Sequence, residues 1–147
     1  MNKLFTIGFT KKTAKTFFSL LQESNIDTVI DIRLNNTSQL AGFAKFPDIE
    51  YFLKSLCGIN YMHDRNFSPT EDTLKKFKKK KITWDEYVVE FENTLKERNI
   101  EEYIKSNYTI DKNYCLLCSE HTHEKCHRTL IAQKFKLVFE DVKITNI

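Results

Sequence analysis

The sequence predicts an α/β fold, a three-layer Rossmann-like domain with a mostly parallel sheet flanked by helices. Three observations predict it. Strand-like and helix-like segments alternate along the chain, two of the strand segments are apolar enough to be covered on both faces, and neither a repeat nor a flexible linker divides the sequence. At 147 residues the chain has the size of one domain, residues 1–147, and can bury a core without disulfides or a structural metal.

The elements follow in order. Residues 4–7 read as a short buried strand closed by Gly8, and Ala14, Phe17, Phe18 and Leu21 then recur at helical spacing. Residues 28–33, with Val29, Ile30 and Ile32, form a β-branched strand placed centrally in the sheet. Residues 34–47 show no period and are too long for a tight turn, which marks a functional loop. Asp48 is expected to cap a helix whose apolar face is Ile49, Phe52, Leu53 and Leu56, ending near Gly58, before a short strand at residues 59–62.

Ser68, Pro69 and Glu71 make a capping-box signature that predicts a helix from Pro69 into a lysine cluster. Thr83 and Glu86 repeat the signature and open a helix with Trp84, Tyr87, Val88, Phe91 and Leu95 on one face. A shorter helical piece at residues 101–105 leads to an apolar strand at residues 114–119. The last helix is expected to begin near His123 and to turn Leu130, Ile131, Phe135 and Val138 inward, and residues 142–145 close the chain as a strand.

Composition narrows the setting. No apolar run approaches the length of a membrane span and the start has no signal-peptide layout, so a cytoplasmic protein without membrane partners is expected. There the four cysteines stay reduced. The formal charge of +3 permits an anionic partner, a small molecule or a nucleic acid, without demanding one. Lys75, Lys76, Lys78, Lys79, Lys80 and Lys81 place six positive charges within seven residues, either to meet phosphates or as a solvated helix end that complements the dipole.

Ligands in open α/β sheets bind outside the carboxyl ends of the strands. That rule brings together Gly8, Asp31, Arg33, Cys118, Glu120 and the start of the last helix. Asp31 and Arg33 either form a salt bridge across the loop mouth or hold an anion, with Arg33 supplying its planar fork and Asp31 orienting it. Ser38 belongs to the loop leaving the same strand end and is expected to border the pocket. Glu120, a carboxyl group among apolar strand ends, is the candidate acid, base or nucleophile, or else an ion-pair partner of Arg128.

Residues 118–128, Cys-Ser-Glu-His-Thr-His-Glu-Lys-Cys-His-Arg, concentrate two cysteines and three histidines. Zinc is the first suggestion of such a segment. The usual knuckle or finger pairings are absent, and half of the segment is expected to be helical, so neither a metal ligand nor a cofactor is assigned and zinc stands as the alternative. In the competing reading Cys126 lies in the first turn of the last helix, where the macrodipole lowers a thiol pKa and attracts anions; it is then either a thiolate nucleophile or simply a small core residue, and His127 is either a site residue or a buried, hydrogen-bonded structural histidine. Cys118 and Cys126 thus join Glu120 as catalytic candidates, while Asp31, Arg33, Ser38, His127 and Arg128 are candidates for substrate binding. Cys57 and Cys115 read as buried filler.

The chain resembles the domain-of-unknown-function 488 family from end to end. The resemblance rests on Thr6-Ile7-Gly8, on Asp31-Ile32-Arg33, on residues 35–43 and on Leu116-Leu117-Cys118-Ser119-Glu120 followed by Cys126-His127-Arg128. Where the family's commonest form has Gly-His-Ser this chain has Gly8, Phe9 and Thr10, and where many members have Leu-Gly-Gly it has Phe67, Ser68 and Pro69. The resemblance implies a compact α/β domain with a site around the Cys-x-Glu and Cys-His-Arg motifs, and no settled reaction. Because polar residues concentrate at strand ends, where a purely structural sheet gains little from them, an enzyme acting on a nucleotide or nucleic-acid component, a hydrolase or a transferase, is expected. The alternatives are a non-catalytic nucleic-acid-binding module and a zinc-stabilised structural or interaction domain.

Overall fold

The computed structural model describes residues 3–37, 41–119 and 125–147. Five strands form one sheet: β1 (Lys3–Gly8), β2 (Thr28–Asp31), β3 (Asn60–His63), β4 (Tyr114–Cys118) and β5 (Lys143–Asn146), in the order β3-β2-β4-β1-β5. Every pairing is parallel, so the sheet is wholly rather than mostly parallel. Among the described residues there are six α-helices: α1 (Ala14–Glu23), α2 (Asp48–Phe52), α3 (Glu71–Lys78), α4 (Trp84–Glu97), α5 (Ile100–Asn107) and α6 (His127–Val138).

Alternation along the strands divides the core in two. Leu4, Ile30, Leu116 and Cys118 face α4, α5 and α6, where they meet Phe91, Leu95, Ile104, Ile131 and Phe135. Phe5, Ile7, Val29, Cys115 and Leu117 face α1 and α2, meeting Phe17, Leu21, Ile49 and Leu53. Both faces of β1, β2 and β4 are thus covered, which is why these segments read as continuous apolar runs.

The connectivity locates the crevice. From β1 the chain crosses through α1 to β2 on one side, whereas from β4 it crosses through α6 to β5 on the other. Because β1 and β4 are neighbours, their outgoing loops diverge, and a topological switch point opens at their carboxyl ends. Register keeps those ends level, with Gly8 opposite Cys118 and Asp31 opposite Leu117.

Four local expectations are corrected. Pro47, not Asp48, precedes α2, and a π-turn at Leu53–Cys57 follows it. The extra residue per turn rotates the register, so Ile49 and Leu53 are buried while Leu56 is 56% exposed. The cap of α3 is Thr70, whose hydroxyl accepts from Thr73 N at 3.2 Å; Ser68 instead donates to the Arg65 carbonyl at 2.8 Å. The last helix starts at His127 and Cys126 is its N-cap, outside the first turn. Finally, β2 ends at Asp31, and the Arg33 amide donates at 3.1 Å to the Asp31 carboxylate rather than to a neighbouring strand.

Candidate functional site

A cavity of about 490 Å³ opens at the switch point. Its floor is made by the ends of β1 and β4 with the start of α6: Phe9, Thr10, Cys118, Ser119, Cys126 and His127 line it. Thr10 ties the two loops together, its amide donating to the Ser119 carbonyl at 3.0 Å and its hydroxyl donating to the same oxygen.

At the centre of the floor, Cys118 Sγ lies 3.5 Å from Nδ1 of His127. The other ring nitrogen, Nε2, is 2.8 Å from the Ile32 carbonyl. A carbonyl only accepts, so Nε2 carries the proton and Nδ1 presents its lone pair to the sulfur in the neutral ring. Phe91 meets the imidazole edge-on at 5.7 Å between centroids and holds its plane. Cys126 completes the group. Its hydrogen bond to Cys118, followed by burial, pushes its thiol well above the ordinary range. Cys118, Cys126 and His127 are 5%, 2% and 7% exposed, and all three line the cavity.

Arg33 forms a neighbouring part of the wall, 5% exposed and stacked over Phe9 at 5.2 Å. Its Nε donates to Asp31 Oδ1 at 2.9 Å, and Nη2 donates to Asp31 Oδ2 at 2.6 Å and to the Ala44 carbonyl at 2.7 Å. Burial opposes its charge, but the hydrogen bonds and field of Asp31 outweigh burial and raise its pKa. Asp31, fully buried, also accepts from Tyr61 OH at 2.6 Å, and Tyr61 accepts from Asn36 at 3.0 Å. The pKa of Tyr61 is raised by burial first and then by the charge of Asp31.

The outer wall comes from α3 and α4. Trp84 and Tyr87, three residues apart on α4, stack at 5.0 Å with their planes 16° apart, and Phe77 packs against both. Lys78 and Lys125 bring positive charge to the same cavity.

Of the residues expected at the site, Arg33, Cys118, Cys126 and His127 line this cavity and Asp31 stands directly behind Arg33. Arg128 is 3% exposed and is not among the lining residues; its charge, second to burial, lowers the pKa of Lys12. Ser38 and Glu120 lie outside the described residues. Sequence reasoning missed Phe9, Thr10 and Lys125; it assigned Trp84 and Tyr87 to the core, where Tyr87 is buried and Trp84 packs against it, but did not foresee that they also border the cavity. The strand-end rule would have found Phe9 and Thr10, which follow Gly8 directly.

Among the described residues no helix is long and apolar enough to cross a membrane. No curated protein and no solved structure matches the chain. The family model for the domain of unknown function DUF488 matches residues 13–135, a span running from the cap of α1 into α6 and including β2, β4 and the Cys118–His127 centre. The chain therefore belongs to the DUF488 family.

Proposed function

We propose that this chain is an enzyme acting on a nucleotide or nucleic-acid component. One observation carries the reading: a single cavity at the switch point joins a flat aromatic wall, cationic groups and a buried cysteine–histidine centre. A heterocyclic base stacks on the half-buried Trp84, backed by the buried Tyr87, and aromatic stacking contributes about 1–3 kcal/mol per base. The phosphate lies toward Lys78, Lys125 and the amide groups that open α6, a helix whose first turn carries no acidic residue. Arg33 adds charge to the wall, while Asp31 keeps its guanidinium in place.

The bond that reacts sits over Cys118 and His127. Glu120, which follows the cavity-lining Ser119 in the chain, transfers the proton, and the reaction is a hydrolysis or a group transfer. Two cysteines whose sulfurs lie within 4.8 Å stay reduced rather than pairing in a reducing compartment, which suits the cytoplasm.

Trp84 is the chain's one tryptophan, so its fluorescence reports on the cavity alone. Nucleoside monophosphates should quench it, and Lys78→Gln with Lys125→Gln should weaken their binding about tenfold, or ~1.4 kcal/mol. Glu120→Gln should bind as before and turn over none of the bound substrate. The proposal fails if neither mononucleotides nor short oligonucleotides change the fluorescence at millimolar concentration.

A further inference from the structure

We propose that Cys118, Cys126 and His127 bind one zinc ion, with its fourth coordination position open to the cavity. The ligand atoms of these three residues all lie within 4.8 Å of one another, and all three residues are buried. Zinc bonds sulfur at ~2.3 Å and imidazole nitrogen at ~2.0–2.1 Å, so the edge between them in a tetrahedron is about 3.5 Å. The separation of Cys118 Sγ and His127 Nδ1 is 3.5 Å.

The surroundings have what such a centre needs. Metal-bound histidines characteristically donate their second ring nitrogen to a carbonyl or carboxylate, which fixes the tautomer and strengthens the ligand. His127 does this through Nε2 and Ile32 O at 2.8 Å. Two thiolates and an imidazole select soft or borderline cations over magnesium or calcium, and the two sulfur charges balance a divalent ion. The ligands come from the end of β4 and the start of α6, elements already fixed by the sheet, so the site is built before the ion arrives. Closed structural zinc sites have four protein ligands, whereas the three ligands among the described residues, beneath a cavity, leave a place for water or a substrate atom.

This inference rests on the proposed function only in making that cavity the substrate site; metal binding itself is read without substrate. The full chain, stripped by a chelator and dialysed, is titrated with Co²⁺ and Zn²⁺. One equivalent of cobalt should give thiolate-to-metal charge-transfer absorption and the intense visible bands of a four-coordinate ion, which zinc then displaces. Native mass spectrometry of the unaltered chain should show one zinc. Cys118→Ser and Cys126→Ser should each remove about half of the charge-transfer intensity and weaken affinity at least a hundredfold, whereas Cys57→Ser should change neither. Absence of the bands and of bound zinc in the unaltered chain overturns the site, as does full cobalt binding by a folded double variant lacking both thiols. If the bands appear and nucleotides still leave Trp84 fluorescence unchanged, the metal site stands and the nucleotide reading falls.

Discussion

Arg33 turns two nitrogens of its guanidinium back onto Asp31, at 2.9 and 2.6 Å, and both residues are almost wholly removed from water. Of the two readings open in the sequence, the geometry shows the salt bridge, with Arg33 in the wall of the cavity and Asp31 behind it. Breaking a buried pair from one side leaves the other charge uncompensated. Asp31→Asn should therefore destabilise the fold by about 3–5 kcal/mol, measured by urea unfolding. Replacing both residues together, Asp31→Leu with Arg33→Met, should recover at least half of that loss. A midpoint for Asp31→Asn equal to that of the unaltered chain would show that the pair contributes nothing.

Much of this arrangement was legible in the sequence. The runs in β2 and β4 are apolar at successive positions, a pattern only a strand covered on both faces satisfies, and that put Asp31 and Cys118 at neighbouring strand ends. The aromatic wall was not legible, because the spacing of Trp84, Tyr87 and Phe91 reports which face of α4 turns inward. It does not report that the helix's first turn borders an opening. Nor did spacing reveal that Cys118, Cys126 and His127 converge. Seven residues separate the two cysteines, no recurring knuckle has that interval, and only the parallel register of β1 against β4 with α6 starting beside them brings the three together. The start of α6 was misplaced for a related reason. Its N-cap is a cysteine with no side-chain capping bond, so the usual Ser, Thr, Asp or Asn signal was missing.

The lysine cluster separates a catalytic pocket from a binding surface. Lys75 pairs with Glu71 at 2.9 Å and Lys76 with Glu90 at 2.9 Å, while Lys78 reaches the cavity. Lys79, Lys80 and Lys81 are exposed just after α3, where cations complement the helix dipole. Changing these three to Gln should leave mononucleotide affinity within twofold and cost under about 1 kcal/mol of stability. Loss of oligonucleotide binding together with a flattened salt dependence would instead assign the cluster to phosphates along a strand.

Thr83 and Glu86 form a complete capping box at the start of α4, with Glu86 N donating to the Thr83 hydroxyl at 3.2 Å and Thr83 N donating to the Glu86 carboxylate at 2.9 Å. Trp84 is the first residue of the helix, so the cap fixes the edge of the aromatic wall. Thr83→Ala should cost about 1 kcal/mol and shift Trp84 emission to the red as the first turn frays. Ser would restore both. Emission unchanged in the Ala variant would mean that packing against Phe77 and Tyr87 alone positions the ring.

Alkaline pH tests a second buried carboxylate, Asp64, which is 4% exposed and accepts from Tyr103 OH at 2.7 Å and Tyr108 OH at 2.6 Å. Burial, then the hydrogen bond and the charge of Asp64, push the Tyr103 phenol from its ordinary value of 10 up to about 12. The folded state therefore keeps a proton that the unfolded chain gives up. The resulting stability is whole below pH 10 and declines as the pH rises through about 12. Tyr108, through burial and Asp64, and Tyr61, through burial and Asp31, are shifted in the same direction, so they add to the decline. Tyr103→Phe removes one contributor, and it should lose about 1 kcal/mol at neutral pH while falling less steeply with alkali. Urea midpoints measured across this range in both proteins give the comparison, and phenolate absorbance gives the titration itself. Parallel declines in the two proteins would place the Tyr103 hydroxyl in contact with solvent rather than with Asp64.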